Sequence, residues 1–148
     1  MADRTEASIE IDAEPAAILD VIADLPAYPQ WSQGIRSVEV LAADGARPLH
    51  ARFTLDAGLI KDVYELDYAW AEDSVSWSLA QAEVFTAMDG SYELTPTTTG
   101  ATRVRYQLTV DVRIPMMGMM KRAAEKVIID TALKGLKARV ESHGASAR

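Results

Sequence analysis

The groups that carry most enzyme chemistry are scarce in this sequence. It has no cysteine and two histidines, and no histidine pair at the spacing of metal ligands. Without cysteine there is no thiolate nucleophile, no disulfide and no cysteine-based metal site. His50 is predicted to lie on the surface of a strand and His143 in a polar tail, so nothing indicates that they meet around a nucleophile. Glycine-rich phosphate loops are also absent, so we expect no metal, nucleotide or other cofactor.

Aromatic side chains are the residues whose type and spacing point to a site. Most of them recur at alternate positions of predicted strands, where every second residue faces the same side of a sheet. Their rings offer a large apolar contact area, and tyrosine and tryptophan add a polar group that needs a partner when buried. A pocket lined in this way suits a small molecule bound without a cofactor. The set comprises Trp31, Phe53, Tyr64, Tyr68, Trp70, Trp77, Tyr92 and Tyr106.

A cluster of methionines precedes the last long apolar stretch of the chain. Methionine fills irregular gaps in cores and also lines adaptable binding surfaces, so core packing and a pliable pocket mouth both stay open. Two residues of this cluster, and one from the apolar stripe that follows, join the aromatic candidates. The candidate ligand-binding residues are therefore Trp31, Phe53, Tyr64, Tyr68, Trp77, Tyr92, Tyr106, Met117, Met120 and Val127.

Alternation with a period of two predicts the strands that carry these rings. Gly90, within one of them, predicts a bulge or a sharp bend. In the last strand the apolar residues face one way and Arg103, Arg105 and Arg113 the other, which puts the arginines on the solvated side; a register shift of one residue would turn them inward. The predicted strands cover residues 4–12, 35–41, 49–57, 60–71, 74–79, 84–95 and 102–113.

Helices are predicted in two places between and after these strands. Glu14-Pro15 begins a short helix, and two prolines then permit only a second short helix or a tight elbow before Trp31. A long helix is expected over residues 115–141, with two apolar stripes that need a large partner surface, and residues 143–148 are expected to form a flexible tail. A strand, two short helices, six strands and a long helix indicate a single α+β domain with an antiparallel sheet.

Charge and composition narrow the partners. The net charge of -7 disfavours nucleic acid and anionic lipid head groups, because binding to either depends on lysine and arginine. The N-terminal residues MADRTEAS lack the apolar core of a signal peptide, and no stretch approaches the roughly 20 apolar residues of a membrane helix. We therefore expect a cytoplasmic protein with no integral membrane association. Binding to a protein partner and formation of a homodimer both stay open as alternatives.

Several of these pieces, in this order, resemble one superfamily. They include the strand at Ile9, the helix start Glu14-Pro15, the segment LPAYPQW at residues 25–31, and the helix that begins Ile114-Pro115. The chain resembles the START-like (SRPBCC) helix-grip superfamily, in its polyketide cyclase/dehydrase and lipid-transport branch. The resemblance implies a curved seven-stranded antiparallel sheet wrapped around the long C-terminal helix, two short helices between strands 1 and 2, and a deep apolar cavity.

The resemblance leaves the function open, because one fold hosts many activities. The first hypothesis is the binding or transport of a small hydrophobic or amphipathic molecule, such as a lipid, an isoprenoid or an aromatic polyketide. The second is a polyketide aromatase/cyclase or dehydratase, in which Tyr64, Tyr92 or Tyr106 donates a proton and Asp62 accepts one if it faces inward. The third is a protein-interaction module with a filled interior. We expect ligand entry between residues 116–120 and 28–31, with Trp31 as a gate or a structural plug.

Overall fold

Seven strands and two α-helices make up the fold. The computed structural model describes residues 5–32, 34–56, 61–113 and 118–146. Helix α1 spans Pro15–Ala23, a 3-10 helix spans Leu25–Gln30, and helix α2 spans Gly118–Ser146. The strands are β1 (Thr5–Ile11), β2 (Ile35–Asp44), β3 (Arg47–Asp56), β4 (Lys61–Trp70), β5 (Ser74–Gln81), β6 (Phe85–Pro96) and β7 (Thr102–Val112).

All seven strands form one antiparallel sheet in the order β1-β7-β6-β5-β4-β3-β2. The two short helical elements connect its two edge strands, β1 and β2, and α2 lies on one face. This arrangement confirms the predicted α+β helix-grip fold. Alternation along each strand sends one set of side chains to the covered inner face and the other to the outer face. The side chains on the covered inner face are therefore the ones that the sheet positions around the site.

Helix α2 closes the fold along β1 and β7. One of its two predicted apolar stripes is buried in the core, because these side chains meet the inner faces of those strands and of α1. The second stripe, which includes Val127 and Ile128, is not buried to the same extent, since Val127 is 64% exposed and Ile128 is only partly buried. Helix α2 thus contributes one stripe to the core and leaves the other beside open space. The core stripe consists of Ile129, Leu133, Leu136 and Val140.

A buried carboxylate ties α2 to the sheet. Glu125 is fully buried and accepts hydrogen bonds from the Thr5 hydroxyl at 2.7 Å and the Val110 backbone N–H at 2.7 Å. Both donors lie near the last described pair between β1 and β7, Thr5 with Leu108. A buried carboxylate is tolerated when hydrogen bonds occupy its oxygens. Glu125 therefore satisfies polar groups where the ladder between β1 and β7 ends.

Two boundary predictions need correction. The register between β6 and β7 passes through Gly90 without a shift, and the irregularity lies between Phe85 and Ala87, so the bulge predicted at Gly90 is misplaced. Helix α2 continues to Ser146 rather than ending at Glu141, because no proline follows Glu141 to end it. The predicted helix start at Pro115 lies outside the described residues, and the flexibility of the tail stays a prediction.

The outer face of the sheet carries charged residues in pairs. The predicted outward orientation of the arginines on β7 is confirmed, since Arg105 contacts Glu6 at 2.6 Å and Arg103 contacts Glu10 at 3.5 Å, all on the exposed side. A register shift that would turn these arginines into the interior does not occur. The pairs are exposed, so each contributes little to stability.

His50, also on the outer face, is held between two carboxylates. Its Nδ1 lies 2.5 Å from the Asp67 carboxylate and its Nε2 lies 2.6 Å from that of Glu65. A carboxylate only accepts hydrogen bonds, so both contacts are satisfied only when both ring nitrogens carry protons. The hydrogen bonds to Asp67 and then Glu65 raise the His50 pKa above its ordinary value of 6.5. The imidazolium is therefore the form that the fold favours.

This arrangement predicts a pH-dependent stability. Because the folded protein holds the His50 proton more tightly, its stabilising contribution is complete below pH 6.5 and is lost as the pH rises through the raised pKa. We expect the stability advantage of the native protein over His50→Gln to shrink as the pH is raised from about 6.5 through the raised pKa, as measured by urea unfolding. Asp67→Asn, which replaces one of the two carboxylates by a neutral amide, should move this loss to lower pH. An advantage that stays constant across the range would contradict the interpretation.

Candidate functional site

A pocket of about 470 Å³ lies between the inner face of the sheet, the 3-10 helix and α2. Strands β3 to β7 supply its wall, and the segment from Tyr28 to Ile35 and the second stripe of α2 supply its other side. Val127, exposed and yet in contact with the pocket, marks its rim. This volume lies within the range of sites that hold small organic molecules.

Aromatic rings form most of the wall, and they contact one another in series. Phe53 on β3 stacks on Tyr64 on β4, with ring centroids 5.2 Å apart and an angle of 3° between the planes. Tyr64 also meets Phe85 edge-on at 5.4 Å. Tyr28 and Trp31, from the other side of the pocket, lie 4.7 Å apart, and Tyr28 reaches Phe53 at 6.3 Å. Contacts of this kind fix ring orientations beyond what burial alone gives.

Trp77 on β5 is the centre of a second group of rings. Its centroid lies 6.0 Å from that of Tyr68, 5.5 Å from Tyr92 and 5.7 Å from Tyr106. The Trp77 ring occupies the place of a missing side chain, because a Cβ on Gly90 would lie 2.5 Å from its Cζ2. Glycine is needed at Gly90 for this close approach rather than for a bulge.

The hydroxyls of four tyrosines in the pocket are free. Among residues 5–32, 34–56, 61–113 and 118–146, only the Tyr28 hydroxyl has a hydrogen-bond partner, the Ile22 carbonyl at 2.6 Å. The other four hydroxyls are not enclosed by protein atoms and so can be reached from the pocket. Burial raises the pKa of all four above the ordinary 10.0, so they stay protonated at neutral pH. We call Tyr64, Tyr68, Tyr92 and Tyr106 the four pocket tyrosines.

Asp62 faces inward, which is the condition that the cyclase hypothesis set for it as a base. Its carboxylate, however, accepts hydrogen bonds from the backbone N–H groups of Glu83, Val84 and Phe85 at 3.0 to 3.2 Å. Glu83 and Val84 belong to the connection between β5 and β6, and Phe85 is the first residue of β6. The buried carboxylate thus satisfies a turn that has no strand partner there, and its oxygens are already occupied.

Only one carboxylate lines the described part of the pocket. Asp56, at the end of β3, lies 3.4 Å from Arg36 and 4.0 Å from Lys61. Both cations are largely exposed, so Asp56 belongs to the outer part of the pocket. The interior polar groups of the described lining are otherwise uncharged: the tyrosine hydroxyls, Ser32, Thr131 and the Trp31 indole.

Trp31 packs tightly against α2. A Cβ on Gly135 would lie 2.7 Å from the Trp31 carbonyl oxygen and 3.2 Å from its ring Cε3. The indole Nε1 is buried without a hydrogen-bond partner in the described part of the chain. An unsatisfied buried donor costs about 1–3 kcal/mol. The close backbone contact supports the interpretation of Trp31 as a structural plug. The unpaired indole N–H supports the interpretation as a gate, because the ring could gain a hydrogen bond by moving. Each interpretation of Trp31 therefore has one supporting observation.

The structure brings most of the candidate residues together. Val127 and all seven aromatic candidates line the pocket. Met117 lies outside the described residues, as does the side chain of Met120, so the methionine mouth and the predicted entrance stay predictions. Trp70, from the wider aromatic set, lies outside the pocket lining, stacks on Tyr68 and donates its indole N–H to the Pro48 carbonyl at 2.6 Å.

Some lining residues escaped the sequence analysis. Phe85 and Met88 both face inward although three positions separate them, because the irregularity between Phe85 and Ala87 changes the parity of β6. Strict alternation along a strand predicts that only one of these two residues faces inward. Tyr28 could have been found, since it belongs to the same proline-rich segment as Trp31.

The described residues contain neither a metal-binding cluster nor a membrane-spanning helix. No group of three or more histidine, aspartate or glutamate side chains there is arranged to hold a metal ion. None of the helices that the structure describes combines the length and apolar character required to cross a membrane.

Comparisons with known proteins agree with this geometry. A family model described as polyketide cyclase / dehydrase and lipid transport matches residues 2–141. A START superfamily protein from Mycobacterium smegmatis has a TM-score of 0.87 at 25% identity, over 94% of this chain and 97% of that chain. No curated protein sequence matches the chain.

Two other solved structures share the fold at lower identity. A Thermus thermophilus protein has a TM-score of 0.79 at 24% identity, over 95% of this chain and 99% of that chain. The Zhui aromatase/cyclase from a Streptomyces species has a TM-score of 0.77 at 12% identity, over 95% of this chain and 94% of that chain. At such identities the likeness shows the fold alone.

The role of Asp62 can be tested by removing one of its acceptor oxygens. Asp62→Asn places an amide donor against backbone donors, so the free energy of unfolding should fall by about 1–3 kcal/mol in urea titrations. Asp73→Asn, in an exposed turn, is the matched control and should change little. An Asp62→Asn protein as stable as the native one would mean that the carboxylate is free to act as a base.

The contact between Gly135 and Trp31 can be tested in the same way. Alanine favours a helix by about 1 kcal/mol over glycine, so Gly135→Ala would stabilise α2 if nothing lay beside it. Because the new Cβ would overlap the Trp31 carbonyl, we expect instead a net loss of about 1–3 kcal/mol in unfolding free energy. Lys134→Ala, on the exposed side, controls for helix propensity. A stabilised Gly135→Ala protein would show that the elbow at Trp31 yields easily.

Proposed function

Because the chain belongs to the polyketide cyclase/dehydrase and lipid transport family, we propose that it binds or transports a small hydrophobic or amphipathic molecule in the pocket lined by Trp77 and the four pocket tyrosines. The family match confirms the resemblance inferred from the sequence. The observation that carries the proposal is the pocket itself: about 470 Å³ of space walled by aromatic rings, with four tyrosine hydroxyls that have no hydrogen-bond partner among the described residues. A lipid, an isoprenoid or an aromatic polyketide is of suitable chemistry.

The described lining favours binding over acid–base catalysis. An aromatase/cyclase or dehydratase needs a group that removes a proton as well as a shaped cavity. Asp62 is engaged by three backbone N–H groups, and Asp56 is paired with exposed cations. The raised pKa values of the four pocket tyrosines keep them protonated at neutral pH, so none of them is available to remove a proton. The enzymatic alternative therefore lacks a base among the described residues.

An open interior also favours binding over a pure interaction module. A module that uses only its surface would have its rings packed against one another with no space between them. Here the rings contact one another along the wall, and space remains beside them. The proposal includes a cytoplasmic location, which the cysteine-free sequence suits.

The proposal is tested by recovering the bound molecule. Native mass spectrometry of gently purified protein, followed by organic extraction, should show a small-molecule adduct that is lost on denaturation. Thermal unfolding with a panel of fatty acids, quinones and polyphenols should find at least one stabilising compound, since a ligand at 100 times its Kd adds about 2.7 kcal/mol. A protein that carries nothing and is stabilised by no compound would contradict the proposal.

A matched pair of variants on α2 makes this test specific for the pocket. Ala132 lines the pocket and Ala138 is exposed on the same helix. Ala132→Phe should fill part of the space and abolish both the adduct and the stabilisation. Ala138→Phe adds the same side chain away from the pocket and should leave both unchanged. Equal effects of the two substitutions would place the binding site elsewhere.

A further inference from the structure

The Trp77 ring packs closely over Gly90, because glycine has no side chain to occupy that space. Gly90 occupies an inward position of β6, between the inward residues Met88 and Tyr92, and the Trp77 ring fills the space where its Cβ would be. A side chain at this position would push the ring toward the pocket. The glycine thus keeps Trp77 back in the wall, and the ring lines the pocket from there.

Three tyrosines with free hydroxyls surround this ring. Tyr68, Tyr92 and Tyr106 all contact Trp77, and Tyr92 contacts Tyr106 at 4.5 Å between centroids. None of the three hydroxyls has a hydrogen-bond partner in the described part of the chain, and none is sealed by protein atoms. A ligand that displaces water from these hydroxyls without replacing its hydrogen bonds loses free energy, so this end of the pocket favours a polar occupant.

The charge of that occupant is also constrained. Phenols that stay protonated can donate to, and accept from, neutral carbonyl and hydroxyl groups. No lysine, arginine or histidine lines the described pocket, so a carboxylate there would be buried without a counter-ion, which is costly. The flat Trp77 face favours a planar ring by stacking.

We propose that Trp77, with Tyr68, Tyr92 and Tyr106, forms a subsite for an uncharged, oxygen-bearing planar group of the ligand, held by the tyrosine hydroxyls. The subsite rests on the proposed binding function and narrows it. An aromatic or quinone-like ring with a carbonyl or hydroxyl satisfies both the hydroxyls and the Trp77 face. An alkyl chain satisfies neither, and a carboxylate at this end is excluded.

Three naphthalene probes of similar size separate these requirements. 2-Naphthol carries a hydroxyl where 2-methylnaphthalene carries a methyl group, and 2-naphthoate carries a carboxylate. Fluorescence titration of the native protein should give a Kd for 2-naphthol about 5- to 10-fold lower than for 2-methylnaphthalene, the effect of about one hydrogen bond. 2-Naphthoate should bind the most weakly of the three.

Tyrosine-to-phenylalanine variants then show which hydroxyls cause the preference for 2-naphthol over 2-methylnaphthalene. Tyr68→Phe, Tyr92→Phe and Tyr106→Phe keep each ring and remove its hydroxyl, so at least one of them, and the triple variant, should lose the preference for 2-naphthol while binding 2-methylnaphthalene as before. Ser76→Ala, which removes a hydroxyl from the exposed outer face of β5 away from the pocket, is the control and should keep the preference. Thermal unfolding checks that each variant is folded, and a single variant that does not fold leaves the other two to decide.

The outcomes distinguish the subsite from the proposed function. Equal binding of 2-naphthol and 2-methylnaphthalene by the native protein, or a preference that survives in the triple variant, overturns the subsite while the pocket still binds. Tighter binding of 2-naphthoate than of 2-naphthol overturns it as well. If none of the three probes binds the native protein, the subsite fails, and an empty protein in native mass spectrometry then removes the proposed function with it.

Discussion

One helix cannot cover a seven-stranded sheet, and the pocket is a consequence of that mismatch. Strands about 4.8 Å apart give a sheet of seven a width of roughly 29 Å, whereas a helix with its side chains is about 10–12 Å across. Helix α2 packs chiefly on β1 and β7, and the 3-10 helix packs beside β2. The inner faces of the strands between them therefore lack a helical partner over part of their length.

Aromatic side chains are suited to the wall of such a space. Each ring buries a large area against its neighbours within the sheet, so Tyr64 and Trp77 can be well packed although the pocket, rather than a helix, lies beside them. An aliphatic wall would need an opposing surface to reach the packing density of a protein interior. Two glycines assist by allowing unusually close approach: Gly90 beneath Trp77, and Gly135 against the backbone of Trp31.

The sequence predicts those features that depend on local periodicity. The inward faces of β4 and β7 follow from alternation, which is why Tyr64, Tyr68 and Tyr106 were placed correctly in the wall. Irregularity defeats the same rule, as Phe85 shows: it faces inward although it is out of phase with Met88 and Tyr92 on the same strand. Local periodicity also cannot predict contacts between residues that are distant in the chain. The sequence around Asp62 does not indicate that its carboxylate accepts a hydrogen bond from the backbone N–H of Glu83, and the sequence around Gly90 does not indicate that the Trp77 ring packs there.

The two buried carboxylates explain why the interior has so little charge to offer a ligand. Glu125 and Asp62 both accept backbone N–H groups at places where strand pairing ends, at the β1–β7 ladder and at the connection between β5 and β6. Curling a sheet around a helix exposes such ladder ends toward the interior, and a carboxylate can satisfy several donors at once. The carboxylates of Glu125 and Asp62 are thus occupied by hydrogen bonds within the fold. What remains in the interior of the described lining is a set of neutral phenols, two aliphatic hydroxyls and the indoles, and these groups suit recognition of neutral oxygen atoms better than the transfer of a proton.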